Sequence, residues 1–248
     1  MRQPDVSILF PIRQAFANYP KGLAETCLEW ALFHQGCWHE VVIVDNASTD
    51  GTRQWLTEYK RRHGDLIQLH FNETDLGFAE SMNIAASLAR GRYFIFQSAR
   101  SYYHPGAIER FVKTLDEDED IGFVYGQTEY HGQGARVHVP GPFRPERVTE
   151  HFDSLFGYMY RREAVDAGCR YEWLLEREGE RLCLSDWDFQ IQMVARLGWQ
   201  GKCLPDQLAL HYHYTGEKQN TSLIHKYWHE LHPLLERKWS DEAHRVAG

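Results

Sequence analysis

The chain reads as an α/β protein, with a mainly parallel, doubly wound sheet in its first half and a mixed, antiparallel second half. Three observations predict this. Apolar runs alternate with helix-patterned stretches at βα spacing from Val6 to Leu115. Residues 41–44 are apolar at every position, the pattern of a parallel strand covered on both faces. From Gly122 onward the alternation gives way to two extended stretches separated by the turn at residues 131–134, which predicts a hairpin.

Residues 6–10 form the first predicted strand, and Leu23, Cys27, Leu28, Ala31 and Leu32 recur at helical spacing behind it. After the strand at 41–44, Asp50, Gly51 and Thr52 open a helix that carries Trp55, Leu56 and Tyr59 and closes at Gly64. Asp50 is the expected capping residue, with Ser48 and Thr49 as competitors. Residues 66–71 give a third strand, 80–90 a third helix and 93–96 a fourth strand. A helix follows Pro105, with Ile108, Phe111, Val112 and Leu115 inward. In the second half, residues 122–130 and 135–139 form the hairpin, and three prolines make 140–145 a loop. Residues 186–197 read as a helix with Trp187, Ile191 and Val194 inward, and 208–210 as a short strand. No linker or repeat divides the chain, so one domain over 1–248 is expected, its two halves meeting near residue 120 and its end forming a C-terminal helix.

A net charge of -8 argues against a general nucleic-acid binder. Five cysteines, odd in number and without a C-x-x-C pair, fit reduced thiols in a cytoplasmic protein. A strand begins within five residues of Met1, which leaves no room for a signal peptide, and no apolar run approaches the roughly 18 residues of a membrane span.

Ligands of open α/β sheets bind beyond the carboxyl ends of the strands. Pro11, Ile12 and Arg13 lie there after the first strand, Asp45 and Asn46 after the second, and residues 98–101 after the fourth. Asp45 either accepts hydrogen bonds from a nucleobase or ribose or caps a helix. Gly77 either lets a ligand approach the backbone or makes the turn before a helix, and Asn83 can fix that loop from within the helix.

The segments 41–52, 72–83 and 93–105, together with Leu184-Ser-Asp-Trp-Asp-Phe189, Arg196-Leu-Gly198, Leu204-Pro-Asp206 and Leu210-His211, resemble family-2 glycosyltransferases of the GT-A fold over roughly residues 6–240. The resemblance implies a nucleotide-binding half over about 1–120, an acceptor-binding half over about 121–248, a nucleotide-sugar donor and a glycan, lipid-linked or other hydroxyl acceptor. It makes Asp45 the nucleotide-binding Asp and Asp186 the general base, with Ser185 in place of a Glu. The competing reading takes Ser185 as the N-cap and Asp186 as a first-turn residue on the helix dipole. Asp188 is expected to position its neighbours. His211 corresponds to a histidine that helps hold the cation in metal-dependent relatives; here His211 or His213 is expected to donate to a phosphate, and Lys218 is read as a surface lysine.

The departures carry the sharpest expectation. The family's Asp-x-Asp carboxylates stand seven and five residues before the loop proline, and here those positions are Ser98 and Arg100. No divalent metal or other cofactor is therefore expected, and Arg100, with Arg13 as a second donor, takes the place of the cation beside the departing diphosphate. The resulting expectation is an inverting, metal-independent transferase with Asp186 and Arg100 as catalytic residues and Pro11, Arg13, Asp45, Asn46, Gly77, Asn83, Ser98, His211 and His213 around the donor. A silent sugar-nucleotide or glycan-binding domain is the alternative. A nucleotidyltransferase is a third class, disfavoured because residues 10–14 supply no Gly-rich phosphate loop. Phe143, Phe152, Phe156, Tyr158, Tyr160 and Trp173 are either sugar-stacking aromatics or core, and residues 224–239 either an interfacial or a docked helix.

Overall fold

The computed structural model describes residues 3–33, 36–132, 135–150, 157–213 and 220–246; for Gln207, residues 212–213, 220–222 and 241–246 it describes the backbone alone. The first half runs β1 (Val6–Ile12), α1 (Ala15–Asn18), α2 (Leu23–Leu32), β2 (His39–Asn46), α3 (Thr52–His63), β3 (Ile67–Asn72), α4 (Gly77–Leu88), β4 (Tyr93–Phe96), β5 (Ser101–Tyr103) and α5 (Ala107–Glu117). The second half continues with β6 (Ile121–Gly132), β7 (Arg136–His138), β8 (Tyr158–Arg161), α6 (Glu163–Asp166), β9 (Leu175–Arg177), β10 (Glu180–Leu182), α7 (Ser185–Leu197), β11 (Gln200–His213), α8 (Asn220–Lys226) and α9 (Trp228–Val246).

One sheet passes through both halves in the order β3-β2-β1-β4-β8-β6-β11-β5, with β7 on the edge of β6. β1 is parallel to both β2 and β4, and β2 to β3, as the alternation predicts. β8 then runs antiparallel to both β4 and β6 and joins the two halves. The residues of β2 are buried throughout, because helices cover both faces of that strand. At the amino ends of the strands Glu40 accepts from Ser7 Oγ (2.7 Å), Arg90 N (2.6 Å) and Gln68 Nε2 (2.8 Å). Burial pushes this carboxyl up, but those donors outweigh burial and hold it below its ordinary range.

The predicted elements of the first half are all present within a few residues, and the hairpin appears as β6 and β7, antiparallel. Two readings are corrected. The short strand predicted at 208–210 is the middle of the 14-residue β11. Its earlier part holds Gly201 and Pro205, which obscure a strand pattern. The structure tolerates Pro205 because it falls where the register against β6 shifts between Cys203 and Gln207, so no ladder N–H is needed. The elements β5, β8, β9 and β10 are three or four residues long, too short to show a period, and the sequence reading passes over them.

The C-terminal segment is a docked helix. Leu231, Leu235 and Trp239 of α9 are buried, and Asp188, fully buried on α7, accepts from Lys238 Nζ (2.9 Å to each oxygen), Trp239 Nε1 (2.8 Å) and Gln192 Nε2 (2.9 Å). Asp188 thus positions α9, in line with the expectation that it acts on its neighbours. Asp188→Asn keeps the shape but removes the charge, so it is expected to cost about 2 kcal/mol, the scale of a charge-assisted hydrogen bond. Urea denaturation reads this directly, and an unchanged midpoint would show that the lock contributes nothing.

Candidate functional site

The carboxyl ends of β1, β2 and β3 are tied together by side chains. Gln14, with a left-handed backbone (φ 51°), donates its N–H to Ser48 Oγ (2.7 Å), and its amide exchanges bonds with Thr49. Asp50 Oδ2 accepts the N–H groups of Phe16 and Ala17 (2.8 Å each) at the start of α1, while Oδ1 accepts Thr52 N (3.2 Å) at the start of α3. Asp50 therefore bonds at both helix starts, but the N-cap of α3 is Gly51 and not Asp50 as expected, because the chain enters the helix through a left-handed residue (φ 95°) that glycine adopts without strain.

Asp45 lies beneath this surface. Its carboxylate is fully buried: Oδ2 accepts Ser48 N (3.1 Å) and Arg53 Nε (3.0 Å), and Oδ1 is shielded, without a partner among the described residues. Asp45 thus organises the turn between β2 and α3 rather than presenting two free acceptors at the strand end. Asn46 is also engaged: its Oδ1 accepts from Asn72 Nδ2 (3.0 Å) and Leu76 N (2.9 Å), and its amide donates to Asp75. Gly77 takes φ 81° and donates to Asp75 Oδ1 (3.0 Å), so it is a turn-making glycine. Asn83 departs from its expected place at the donor. Its amide clamps the main chain of Tyr171, donating to Tyr171 O (2.9 Å) and accepting from Tyr171 N (2.9 Å), and so braces α4 against the second half. Arg13 pairs with Asp75 (2.8 Å) at the lip above β2, and Pro11 lies in β1 beside Val44.

The loop after β4 holds the second group. Ser98 Oγ shares a hydrogen bond with Ser101 Oγ (2.7 Å) and accepts Arg100 N (3.3 Å), so its hydroxyl shapes the turn that presents Arg100. β5 then pairs with β11, which sets Ser101 opposite His211, and β6 sets Tyr130 opposite His211 on the other side. The His211 and Tyr130 rings lie 5.6 Å apart, and the Arg136 guanidinium stands 4.6 Å over Tyr130. Burial pushes the Tyr130 phenol up, while the charges of Arg136 and Arg100 draw it down. Arg136 and Tyr130 were not singled out from the sequence. They come from the hairpin, and only the strand order brings them to this loop. The side chain of His213, and Lys218, Phe152 and Phe156, lie outside the described residues.

Asp186 stands in the first turn of α7. Ser185 does not cap that helix: Leu184 is the N-cap, and Ser185 Oγ faces Cys183 Sγ (3.3 Å). The Tyr158 hydroxyl donates to Asp186 O (3.3 Å), and the Tyr103 hydroxyl donates to Phe96 O (2.6 Å) at the end of β4. Burial pushes Tyr103 and Tyr158 well up, and the charge of the Asp186 carboxylate adds to it. Asp186 Oδ1 is shielded from solvent and has no partner among the described residues, and burial pushes the carboxyl up to about 7. Tyr160 and Tyr158 are core, Phe143 packs on Phe123 (5.1 Å), and Trp173 is exposed under the Arg181 guanidinium.

A divalent cation is a poor fit to this loop. Ser98 and Arg100 stand where carboxylates would be needed, the Ser98 hydroxyl is engaged in the turn, and a guanidinium repels a cation. The described residues hold no group of three His, Cys, Asp or Glu side chains arranged for a metal, and no helix long and apolar enough to cross a membrane.

The comparisons agree with this architecture. The chain is 30% identical over 128 residues to a PGL/p-HBAD biosynthesis glycosyltransferase of Mycobacterium bovis, covering 51% of this chain and 47% of that protein. It is 32% identical over 145 residues to the putative glycosyltransferase EpsE of Bacillus subtilis, covering 56% and 50%. The chain thus spans about half the length of these curated relatives. Among solved structures it resembles S. aureus TarS 1–349 in complex with UDP-GlcNAc (TM-score 0.66, 19% identity, 88% of this chain and 60% of that one). It also resembles the mannosyltransferase PcManGT of Pyrobaculum calidifontis in complex with GDP-Man and Mn2+ (TM-score 0.61, 17% identity, 100% and 76%). At those identities the likeness speaks for the fold alone, a GT-A-like mixed α/β domain. The profile described as Glycosyl transferase family 2 matches residues 21–168, more than half of the chain, and on that match the chain belongs to glycosyltransferase family 2.

Proposed function

We propose that the protein moves a sugar from a nucleotide-sugar donor to an acceptor hydroxyl with inversion, without a divalent metal. The observation that carries the reading is Asp186: a carboxylate oxygen in the first turn of α7, shielded and without a partner among the described residues, on an acid that burial brings up to about 7. That proton affinity suits a general base near neutral pH, since a base works best when its pKa lies close to the working pH. In the proposed step the Asp186 carboxylate takes the proton of the acceptor hydroxyl. The acceptor oxygen bonds to the anomeric carbon as the bond from that carbon to the diphosphate oxygen breaks, and the diphosphate leaves with the electron pair. Arg100, with Arg136 and His211 beside it, meets the growing negative charge, and a guanidinium fork matches phosphate oxygens bidentately.

The nucleotide-sugar donor is supported by the UDP-GlcNAc and GDP-Man bound to the two structural relatives. The manganese of the mannosyltransferase is not carried over, because Ser98 and Arg100 replace the carboxylates that would hold it. A cytoplasmic location and a glycan, lipid-linked or other hydroxyl acceptor belong to the same reading. UDP-, dTDP- and GDP-sugars are expected to raise the melting temperature selectively, with the rise and the turnover unchanged by EDTA. Loss of both in EDTA would sink metal independence; no stabilisation by any nucleotide sugar would sink the donor reading. Stabilisation without turnover would leave a binding domain.

A further inference from the structure

The stretch between α6 and β9 is fastened to helices on two sides. Gln192 of α7 accepts Arg170 N at Oε1 (2.9 Å) and donates through Nε2 to Arg170 O (2.7 Å). One residue on, Asn83 of α4 does the same to Tyr171, with 2.9 Å at each bond. A carboxamide has an acceptor and N–H donors in one plane, so it pairs with both main-chain groups of a residue as a strand neighbour would. Successive residues thus turn their main-chain groups to opposite helices, and Arg170 and Tyr171 form a strap between α4 and α7. The strap is held at its ends too: Cys169 N donates to Ala164 O (2.9 Å), Lys238 Nζ to Glu172 (2.9 Å) and Leu174 N to Leu182 O (2.9 Å). The Asn83 amide also donates to Glu80 (3.3 Å), one turn away on its own helix.

What the strap carries is the Tyr171 ring. It is buried, stacks on Phe189 of α7 (4.5 Å, 17° between the planes) and donates from its hydroxyl to the Tyr160 hydroxyl of β8 (3.1 Å). Phe189 stands three residues after Asp186, so the two share a face of α7, and the ring lies against the face that bears the acid. The titratable groups that feel the Asp186 charge are Tyr103 of β5, Tyr158 and Tyr160 of β8, Tyr171 and Cys183, and burial pushes each of them up. All of them are therefore uncharged near neutral pH, and burial is what raises Asp186.

We propose that Asn83 is a positioning residue for the transfer reaction: through the main chain of Tyr171 it holds that ring against α7 and keeps Asp186 sealed from water. The inference rests on the reading of Asp186 as the base. Without the amide, Tyr171 N and O must be satisfied by water, which draws the strap away from α4 and opens the acid to solvent. A solvated carboxyl returns towards its ordinary range and becomes a weaker proton acceptor.

The test follows the Asp186 carboxyl by carbon-13 NMR of aspartate-labelled protein, its signal identified by its absence from Asp186→Asn. In the wild-type chain it is expected to titrate at about pH 7. Asn83→Ala is expected to lower that midpoint by about one to two pH units, part of what burial can impose. Tyr171→Leu is expected to lower it as well, and the double variant should titrate with Tyr171→Leu, since Asn83 then has no ring to position. Glu40→Gln, at the amino ends of the strands, is expected to lower the melting temperature and leave the midpoint in place, which separates the effect from lost stability. Should Asn83→Ala not fold, Asn83→Gln carries the test: one extra methylene displaces the strap, and a smaller shift in the same direction is expected. An unmoved or raised midpoint in the Asn83 variant would overturn the assignment, and so would shifts that add in the double variant. A wild-type midpoint at about pH 4, the ordinary value for an aspartate, would remove the seal itself. The base reading is decided separately, by the turnover of Asp186→Asn.

Discussion

Asp186→Asn is expected to lower transfer by at least about a hundredfold at pH 8 while making the protein more stable there. The first effect follows from removal of the proton acceptor, whose contribution starts at roughly that size. The second follows from burial, which pushes the Asp186 carboxyl up from its ordinary range to about 7. A carboxyl raised in the folded state holds its proton through the window in which the unfolded chain has released it. Between about pH 4 and pH 7 the folded state therefore binds more protons than the unfolded state, so the wild-type protein loses stability as pH rises through that window and levels off above it. Asparagine carries no charge to bury. The melting temperatures of wild type and variant should thus converge near pH 4 and diverge towards pH 8, with the variant higher. Wild-type turnover should rise with pH through an apparent pKa near 7, because only the ionised carboxylate accepts a proton. A structural first-turn acid would give the opposite stability result, since the variant would lose a favourable contact with the helix dipole. Near-normal turnover in the variant rules out the base assignment, whatever the melting curves show.

This acid also shows how far the sequence reaches. The helix at 186–197 and its inward residues Trp187 and Ile191 are legible from spacing, and the helix is found one residue longer at its start; the base role of Asp186 is what the family resemblance implies. The proton affinity of Asp186 is not legible. It comes from the burial of the acid beside Tyr103, Tyr158, Tyr160 and Tyr171, and these tyrosines reach it from β5, β8 and a loop after α6 that share no local pattern. The first half of the sheet could be read because each parallel strand is an apolar run followed by a helix. β8, which joins the halves, has four residues and pairs with strands more than thirty positions away on either side. Donor-side residues divide in the same way. Asp45 and Asn46 are found at the predicted strand end, but Arg53, Asp75 and Asn72 fill most of their hydrogen-bonding capacity, and Asn83 turns to Tyr171. Sequence position locates a residue at a cleft; only the packed neighbours decide whether its polar atoms face a ligand or another loop.

Arg100→Ala should lose about 2.7–4 kcal/mol of transition-state stabilisation, roughly a hundred- to a thousandfold in turnover, the scale for one preorganised electrostatic donor. The loop around it supports that size of effect. Ser98 and Ser101 lock the turn through their hydroxyls, and Arg100 N is fixed on Ser98 Oγ, so the backbone that carries the guanidinium is set before charge develops on the diphosphate. Arg136 over Tyr130 and His211 opposite Ser101 add to the same side of the cleft, which is why removal of Arg100 should reduce the rate without abolishing it. Arg100→Lys should recover only part of the loss, since a point charge cannot reproduce the bidentate fork. The loss should fall mainly on kcat, because a ground-state diphosphate ester carries less charge at the scissile oxygen than the departing diphosphate does. A rise in KM with kcat unchanged would assign Arg100 to donor binding alone. Activity in EDTA is the decisive control. Abolition of transfer by EDTA, with recovery on added manganese, would show that a metal does the work here assigned to Arg100. Unaltered turnover in EDTA together with a kcat collapse in Arg100→Ala would establish that the cation at this position is the arginine itself.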